Sequence, residues 1–379
     1  MGYFKYDRDD VYNDPYSPVY AYLLNMPYFG APRENMTKYD PTTVIRPVRE
    51  TDFKDLYELA KNSGIGFTSL PINVSYLKKR IEISIKSFQK QVTNPNGENY
   101  LFVLEDIATG TLVGTSGVVA CVGETESFYS YKVGKITKAC AALNIRKIHE
   151  TLSLTTDYVG SSELCTLFVL PKYRKHANGQ LLARSRFLFM HEFRKRFCNL
   201  VIAELRGVSD KNGFSPFWSA IGKNFFGFDF PQADYLTGLG EKQFISDLMP
   251  EFRLYISMLP KSAQDVIGQV HKDTVPAFKL LERENFVYKG YVDIFDAGPT
   301  IEAFIDKISS IKQCRYATIS GFANNAKTKT HIISNLNIDF RACVGSLEFV
   351  KEQEVTLPET CAKALQLNIG DKLKYITLH

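Results

Sequence analysis

The sequence predicts an α/β (α+β) fold, in which helices cover the faces of a mixed sheet and a small β-rich appendix follows. Three observations predict it: a strand–helix–helix–strand–strand order at the start of the core, a buried strand that leads through a loop into a long helix, and short strands with Gly/Asn turns from about residue 309. The predicted opening elements are strand 44–48, helix 53–62 with Asp52 as its N-cap, helix 74–90, and strands 100–105 and 112–122.

The composition divides the chain into three predicted regions. Residues 1–42 alternate tyrosines with prolines, which predicts an extended arm laid across the body or a neighbouring subunit. Residues 43–308 carry the main α/β domain, and residues 309–379 form the β-rich C-terminal domain. Within the main domain, 127–160 is predicted to be an irregular insertion and 206–269 a wall of the substrate pocket. Strand 199–205, helix 274–284 and strand 286–295 complete it.

Composition and charge exclude several functional classes. A net charge of +5 over 379 residues is too mild and too dispersed for nucleic acid, and the short runs Lys78-Lys79-Arg80 and Arg194-Lys195-Arg196 are interpreted as solvated helix faces. Seven scattered cysteines without a C-x-x-C pair argue against disulfides and a metal site, and for the cytoplasm. No run approaches the length of a membrane span, and no secretory signal is evident, so no membrane association is expected.

The most informative stretch is a buried strand, 164–170, that stops at Pro171 and gives way to a basic loop and a helix from about Ala177. Free backbone N–H groups at a helix N-terminus favour an anion, and Arg174 and Lys175 add positive side chains there. With Asn178 and Gly179 they are the candidates for holding a pyrophosphate. An ordinary strand–turn–helix with solvated bases is the alternative.

Acyl transfer from a thioester to an amine needs oxyanion donors and a group that moves protons. Strand 164–169 can supply backbone donors if it parts from its neighbour, and Leu167 and Val169 are the candidates for lining the acyl-CoA arm. For Leu167 the alternative is a core leucine. Among the six histidines, His271 stands out because it follows the apolar run 266–270 and precedes a helix N-terminus, where it can point into a cleft or merely cap the helix.

A cationic acceptor would need carboxylates in the protein. If the acceptor is an amino acid, its own carboxylate would also need a positively charged side chain. Asp157, Glu163 and Glu204 are the candidates for the first role, although each is singly explicable as a solvated or capping acid. Asp229 and Asp234 lie in segment 206–269, and each is likewise explicable as a solvated or capping acid. Arg206, just beyond strand 199–205, is the candidate for the second role.

Two resemblances follow from these residues. The strand–Pro–x–aromatic–Arg–loop–Gly–x–x–Leu pattern around Pro171 resembles the acyl-CoA-binding signature of the GNAT acyltransferases, as does the closing pattern Ala277-x-x-Leu280-Leu281. From 43 to about 296 the chain resembles bacterial arginine N-succinyltransferases. The strings that carry this second resemblance are 44–48 (VIRPV), 68–71 (TSLP), 160–168 (GSSELCTLF), 178–179 (NG), 213–218 (GFSPFW), 263–271 (AQDVIGQVH) and 293–300 (DIFDAGPT).

The second resemblance implies an enzyme that transfers succinyl from succinyl-CoA, its co-substrate, to the α-amine of L-arginine in arginine catabolism, with no permanently bound cofactor. It places Leu167 at the family's succinyl-CoA-binding position and His271 at its proton donor. The arm precedes the usual start of family members. Lys175-His176-Ala177 stands where an acidic residue and Gly are more usual.

Two alternatives stay open at this stage. One is a related acyltransferase acting on ornithine or another cationic amine, because pocket carboxylates would serve either substrate. The other is a non-catalytic GNAT-like partner subunit. Small-molecule substrates and a homo- or hetero-oligomer are the expected partners, with no nucleic acid and no membrane.

Overall fold

The structure is a computed structural model, and it describes residues 41–64, 67, 69–239, 243–249, 252–323 and 329–378. The predicted arm, 1–42, lies outside the described residues except for its last two. The core opens with β1 (Thr43–Pro47), α1 (Phe53–Ser63), α2 (Val74–Gln89), β2 (Asn99–Asp106) and β3 (Leu112–Val119), in the predicted order. The mixed sheet flanked by helices is confirmed.

Asp52 holds the N-cap position of α1, but its carboxylate does not cap that helix. It accepts two hydrogen bonds from the guanidinium of Arg46, at 2.7 and 2.9 Å, and Arg46 also binds Glu105 at 2.6 Å. Arg46 and Asp52 are buried, so this ion pair fixes the start of α1 against β1 and β2.

The predicted irregular insertion at 127–160 is wrong, because the chain there forms a long antiparallel hairpin. β4 (Ser130–Cys140) pairs with β5 (Ile145–Thr155) without interruption from Ser130–Thr155 to Cys140–Ile145. The outer half of the hairpin is exposed on both faces. Its strands therefore lack the apolar alternation by which a half-buried strand is recognised.

A parallel strand pair lies near the middle of the chain. β6 (Ser162–Val169) is followed by a 3-10 turn, Pro171–Tyr173, then by α3 (Asn178–Glu192) and β7 (Leu200–Glu204). Ten consecutive residues of α3, 181–190, are buried between the sheet and the C-terminal elements. The strand, loop and helix therefore follow the sequence-based prediction closely.

The long segment after β7 contains short helices rather than a single crossover. These are α4 (Pro216–Ala220), α5 (Gly222–Phe226), α6 (Phe230–Gly238), α7 (Gln243–Leu248) and α8 (Lys261–Gln264), with the two-residue strand β8 (Leu254–Tyr255) between the last two. The ring of Trp218 stacks on that of Phe226, with 5.2 Å between the ring centroids, and its centroid lies 5.5 Å from that of Phe295. This aromatic cluster is a second hydrophobic core beside the hairpin and β9.

After α8 come α9 (Val275–Arg283), β9 (Val287–Val292) and β10 (Pro299–Phe304). The predicted strand 286–295 is too long, because 293–298 form a turn in which Asp293 accepts hydrogen bonds from the N–H groups of Phe295 and Asp296. Asn285, at φ 69°, follows α9 in the left-handed conformation that asparagine tolerates.

The C-terminal elements extend the same sheet. They are α10 (Ser309–Gln313), β11 (Arg315–Phe322), β12 (Thr330–Ser334), β13 (Ala342–Ser346), β14 (Glu348–Lys351), β15 (Glu354–Leu357), α11 (Glu359–Leu365) and β16 (Lys372–Thr377). Among the described residues the strand order is β14-β15-β11-β16-β12-β13-β1-β2-β3-β6-β7-β10-β9-β4-β5-β8. The region is β-rich, as predicted, and it joins the rest where β13 pairs with β1 at Ala342–Ile45. A domain boundary at 308/309 stays a prediction.

In the ranges given above, every helix is too short or too polar to cross a membrane.

Candidate active site

The central opening of the sheet lies between β6 and β7. These parallel strands pair only at Ser162–Val201 and Glu163–Ile202. Beyond that point β6 continues along β3, whereas β7 continues along β10 on its other side. If the register is continued by the same offset, Leu167 comes level with Arg206. The second halves of the two strands therefore border a cleft, as the sequence analysis required for strand 164–169.

A β-bulge shapes the β6 side of this cleft. Thr115 faces Phe168 and Gly117 faces Cys165, so the single residue Ser116 opposes both Thr166 and Leu167. Thr166 has φ 56°, a left-handed conformation that is strained for a β-branched residue. A bulge interrupts the ladder and turns backbone groups out of it, which is what a backbone oxyanion donor requires. The side chain of Leu167 is half-buried against the main core, and Val169 is buried in it.

The predicted anion site lies at the N-terminus of α3. His176 and Ala177 are both left-handed, with φ 52° and 59°, and the side chain of Ala177 cannot cap the helix. The first-turn N–H groups of α3 therefore face a loop in which Arg174, Lys175 and His176 are exposed. A Cβ added at Gly179 would meet nothing within 4 Å, so the protein itself does not fill the space beside it.

Two of the predicted cofactor-binding side chains already have partners inside the protein. Asn178 is buried; its Oδ1 accepts from the Thr43 hydroxyl at 2.8 Å and its Nδ2 donates to the Tyr173 carbonyl at 3.0 Å. Arg174 donates from Nε to the carbonyl of Val169 at 3.0 Å, and its guanidinium lies otherwise at the surface. Asn178 thus fixes the loop, whereas Arg174 still presents its charge to the anion site.

His271 lies on the opposite side of the cleft. The apolar run 266–270 before it is not a strand: a turn that follows α8 leads to the histidine. Its position is set instead by its backbone N–H, which donates to the carbonyl of Arg206 at 2.8 Å. The backbone N–H of Asp273 donates to Nδ1 at 3.2 Å, and the Oδ2 atom of the same residue lies 3.7 Å from Nδ1.

Burial lowers the pKa of the His271 imidazole below its usual 6.5, and the charges of Arg206 and Lys272 lower it further. The carboxylate of Asp273 and a backbone hydrogen bond with Ser209 act in the opposite direction but do not cancel the effect. The uncharged form of the ring is therefore favoured near neutral pH.

Arg206 connects β7 to this histidine. Its Nη2 donates to the Ser209 hydroxyl at 3.0 Å, while its buried Nε has no hydrogen-bond partner among the described residues. Burial lowers the pKa of its guanidinium, although Asp296, Asp273 and Asp234 lie near enough to favour the charge. A cationic side chain with an open donor at the cleft is suited to a carboxylate ligand.

A buried carboxylate holds the loop that follows Arg206. Asp296 accepts from the N–H groups of Gly207, at 2.6 Å, and Gly298, at 2.8 Å. Burial and the neighbouring Asp293 raise the pKa of Asp296 well above its usual range. A Cβ at Gly207 would lie 2.4 Å from the carbonyl of Asp296, so only glycine permits this approach.

The structure does not bring the predicted acidic residues together. Asp157 is exposed before the N-terminus of β6, where Tyr291 donates to it at 2.8 Å and Lys132 lies 3.8 Å away. Glu163 and Glu204 lie on β6 and β7 where the two strands part, close to the root of the cleft. Asp229 is paired with Lys223 at 3.1 Å on the exposed surface.

Sequence reasoning missed two arginines beneath the bulge. Arg80 on α2 was interpreted as part of a solvated face, which is right for Lys78 and Lys79 but wrong for Arg80, because only 5% of it is exposed. Arg186 on α3 is also buried, and its Nη1 reaches the carbonyl oxygens of Gly117 and Cys165 at 3.4 and 3.5 Å. Spacing could have found Arg80, since it shares one helix face with Leu77, Ile81 and Ser84.

Known proteins resemble this chain over most of its length. The chain matches the family model for the arginine N-succinyltransferase beta subunit over residues 43–310, and the model for the C-terminal domain of that subunit over 315–377. An arginine N-succinyltransferase from Escherichia fergusonii is 43% identical over 337 residues, which are 88% of this chain and 97% of that protein. The Shigella flexneri protein of that name is 42% identical over the same shares.

A solved structure with the same architecture is the arginine/ornithine succinyltransferase subunit AI from Pseudomonas aeruginosa. It superimposes with a TM-score of 0.82 at 34% identity, covering 89% of this chain and 99% of that one.

Proposed function

Because the chain belongs to the arginine N-succinyltransferase family of acyltransferases, we propose that it transfers the succinyl group of succinyl-CoA to the α-amine of L-arginine. The observation that carries the proposal is the cleft between β6 and β7. It has the bulge at Thr166–Leu167 on one side and the Arg206–His271 pair on the other. A backbone donor and a neutral imidazole then face one another across the space where a thioester and an amine would meet.

The donor binds along β6. Its pyrophosphate lies against the first turn of α3, where helix N–H groups and the charges of Arg174 and Lys175 favour an anion. Its pantetheine arm runs beside Leu167 and Val169 into the cleft, and the backbone N–H of Leu167 donates to the thioester oxygen. Asn178 and Gly179 contribute by fixing the loop and by leaving room beside it.

The acceptor lies on the β7 side. The guanidinium of Arg206 holds the α-carboxylate of the amino acid, and this orients the α-ammonium toward His271. Glu163 and Glu204, at the root of the cleft, are the carboxylates placed to attract a cationic side chain. Asp157 is engaged with Tyr291 and Lys132 and contributes at most through long-range charge.

His271 carries one proton from the substrate nitrogen to the departing sulfur. His271 takes a proton from the ammonium, because its lowered pKa leaves the ring uncharged, and Asp273 stabilises the imidazolium that forms. The free amine attacks the carbonyl carbon and the oxyanion is held at the β6 bulge. The attacking nitrogen releases its second proton to solvent water, and the C–S bond breaks. The imidazolium then protonates the departing thiolate, which yields CoA and N-succinylarginine.

A test of this function is CoA thiol release from succinyl-CoA by the purified chain, with arginine, ornithine or lysine as the acceptor. Release stimulated mainly by arginine supports the proposal. Release mainly with ornithine keeps the chemistry and changes the substrate; the Pseudomonas aeruginosa relative carries both amino acids in its name. No release with any amine, despite binding of succinyl-CoA, contradicts catalysis by this chain alone and favours a partner subunit.

We also propose a cytoplasmic location and assembly into a homo- or hetero-oligomer. The free cysteines at 121, 140, 165, 198, 314, 343 and 361 suit a reducing compartment. The oligomer is supported by the word subunit in the names of the family model and of the Pseudomonas aeruginosa relative. Light scattering of the purified chain measures its oligomeric state directly.

A further inference from the structure

The guanidinium of Arg80 lies directly under the bulge of β6. Its Nη2 donates to the Thr166 hydroxyl at 2.5 Å and lies 3.7 Å from the Cys165 sulfur. Gly117, on β3, leaves the space, since a Cβ there would come within 3.5 Å of the same nitrogen. The charge is thus one residue away from Leu167, where the thioester oxygen is proposed to bind.

This cation has unused donors in the described part of the protein, although the charge of Glu163 and a side-chain hydrogen bond with Tyr76 raise the pKa of its guanidinium. No ion pair in the described ranges joins Arg80 to a carboxylate, and its Nε and Nη1 have no hydrogen-bond partner there. Tyr76, Cys165 and Glu163 are the groups near enough to affect its charge. A guanidinium 95% buried with two unused nitrogens is costly, because each lost its water without gaining an acceptor.

Arg186 shows what a purely structural arginine looks like at the same place. It is equally buried, but it donates from Nε to the Ala183 carbonyl at 3.1 Å, and its Nη1 reaches the carbonyls of Gly117 and Cys165. Backbone oxygens on α3 and the sheet therefore use its donors. The open donors of Arg80 have no such explanation, which points to an acceptor that arrives with a ligand.

We propose that Arg80 binds the terminal carboxylate of the succinyl group and thereby selects succinyl-CoA over uncharged acyl donors. The inference rests on the proposed function for the identity of the donor. A succinyl chain extends only a few carbon–carbon bonds beyond its thioester carbonyl, so its carboxylate stays close to the bulge. A carboxylate there would supply the acceptors that Nε and Nη1 lack. The hydroxyl of Thr166 holds the guanidinium in place and acts as a positioning residue.

The test compares succinyl-CoA with butyryl-CoA, which has the same chain length but a methyl group in place of the carboxylate. Wild type is expected to prefer succinyl-CoA by at least about 100-fold in kcat/KM, since a site built to bind a polar group rejects the analogue without it. Arg80→Gln should lose most of that preference, lowering the value for succinyl-CoA while the value for butyryl-CoA changes less than about threefold. Equal losses for both donors would overturn the proposal.

Arg186→Gln is the matched control, and any loss it causes should be the same for both donors. If Arg80→Gln does not fold, Thr166→Val removes the positioning hydroxyl at nearly constant shape. It should raise the KM for succinyl-CoA about fivefold or more, without a matching change for butyryl-CoA. An unchanged donor preference in Thr166→Val would then count against the role of Arg80.

Calorimetric binding without any acceptor separates this inference from the proposed function. If no amine releases thiol but wild type binds succinyl-CoA more tightly than butyryl-CoA, and Arg80→Gln abolishes the difference, the proposed function fails and the role of Arg80 stands. Equal binding of the two donors by wild type overturns the role of Arg80, whatever the turnover.

Discussion

The backbone N–H of His271 donates a 2.8 Å hydrogen bond to the carbonyl oxygen of Arg206, which links two parts of the chain that lie far apart in sequence. Arg206 extends β7 beyond the point where that strand has left β6. The backbone at His271 is therefore held by the segment that directly follows β7. This places His271, the proposed proton-transfer group, on one side of the cleft and the bulge of β6 on the other.

Replacing His271 by Gln should lower turnover about 100- to 10,000-fold, because the amide cannot shuttle the proton between ammonium and thiolate. The binding of succinyl-CoA should stay nearly intact, since the donor is held along β6 and α3. Steady-state thiol release and calorimetric binding measure the two effects. His149→Gln is the control, because His149 lies in the β4–β5 hairpin and contacts Tyr255 rather than the cleft. Loss of binding and of the fold together in His271→Gln would mark the residue as structural.

The pH dependence of kcat/KM should follow the ionisation of His271. Because burial lowers its pKa below 6.5, the acidic limb of the profile, where the ring becomes protonated and activity falls, should be centred below pH 6.5. The same shift lowers stability in acid: between pH 6.5 and the lowered pKa the unfolded chain binds the proton and the folded one does not. A pH–rate profile checks the first statement. An acidic limb centred above 6.5 would contradict it.

The sequence predicted the parts of this site that depend on local pattern. Strand 164–169 is a nearly continuous apolar run that ends at a proline, and α3 begins after a basic loop, so both were found within a residue or two. The outer β4–β5 hairpin was missed for the opposite reason: neither face is buried, and no period is imposed on its residues. Pairing of β13 with β1 joins residues about three hundred positions apart, and no local signal reports it.

Some of the site residues could be identified from the local sequence, and others depend on the fold. Leu167 and His271 were candidates from their local sequence and were given roles by a resemblance. The structure places them on opposite sides of the cleft, and their roles stay predictions. Arg80 was within reach, because its spacing from Leu77 and Ile81 puts it on the apolar face of α2. The engagement of Asn178 with Thr43 and Tyr173 could not be predicted, since it depends on where β1 lies in the folded chain.

The anion site at α3 can be tested by placing a negative charge in it. Ala177→Asp should weaken CoA binding about tenfold, because the new carboxylate competes for the first-turn N–H groups and repels the pyrophosphate. In Ala177→Asn the new side chain has nearly the shape of aspartate and tolerates the left-handed conformation, but it carries no charge. This variant should therefore weaken CoA binding less than Ala177→Asp does. Calorimetric titration with CoA gives both affinities. Equal affinities for the two variants would place the pyrophosphate elsewhere.

The buried pair of Arg184 with Glu284 should be essential for the stability of α3. Glu284 lies 3.0 Å from the Nε of Arg184 and also accepts from the backbone N–H and hydroxyl of Ser310, at 2.6 and 2.7 Å. Glu284→Gln leaves a buried guanidinium without its counter-charge, so the free energy of unfolding in urea should fall by about 3 kcal/mol. Glu82→Gln is the control: Glu82 and its partner Lys86 are both exposed, so the loss of stability should be far smaller.

A double variant of Arg184 and Glu284 tests whether their attraction stabilises the fold or only offsets the cost of burying two charges. If the attraction only offsets the cost of burying two ions, replacing both residues by apolar side chains of similar volume, Arg184→Met with Glu284→Leu, should restore most of the stability that Glu284→Gln loses. Recovery to within about 1 kcal/mol of wild type is the expected result, because both side chains are more than 90% buried. A double variant no more stable than Glu284→Gln would instead show that the hydrogen bonds to Ser310, and not the removal of charge, hold α3 against α9 and α10.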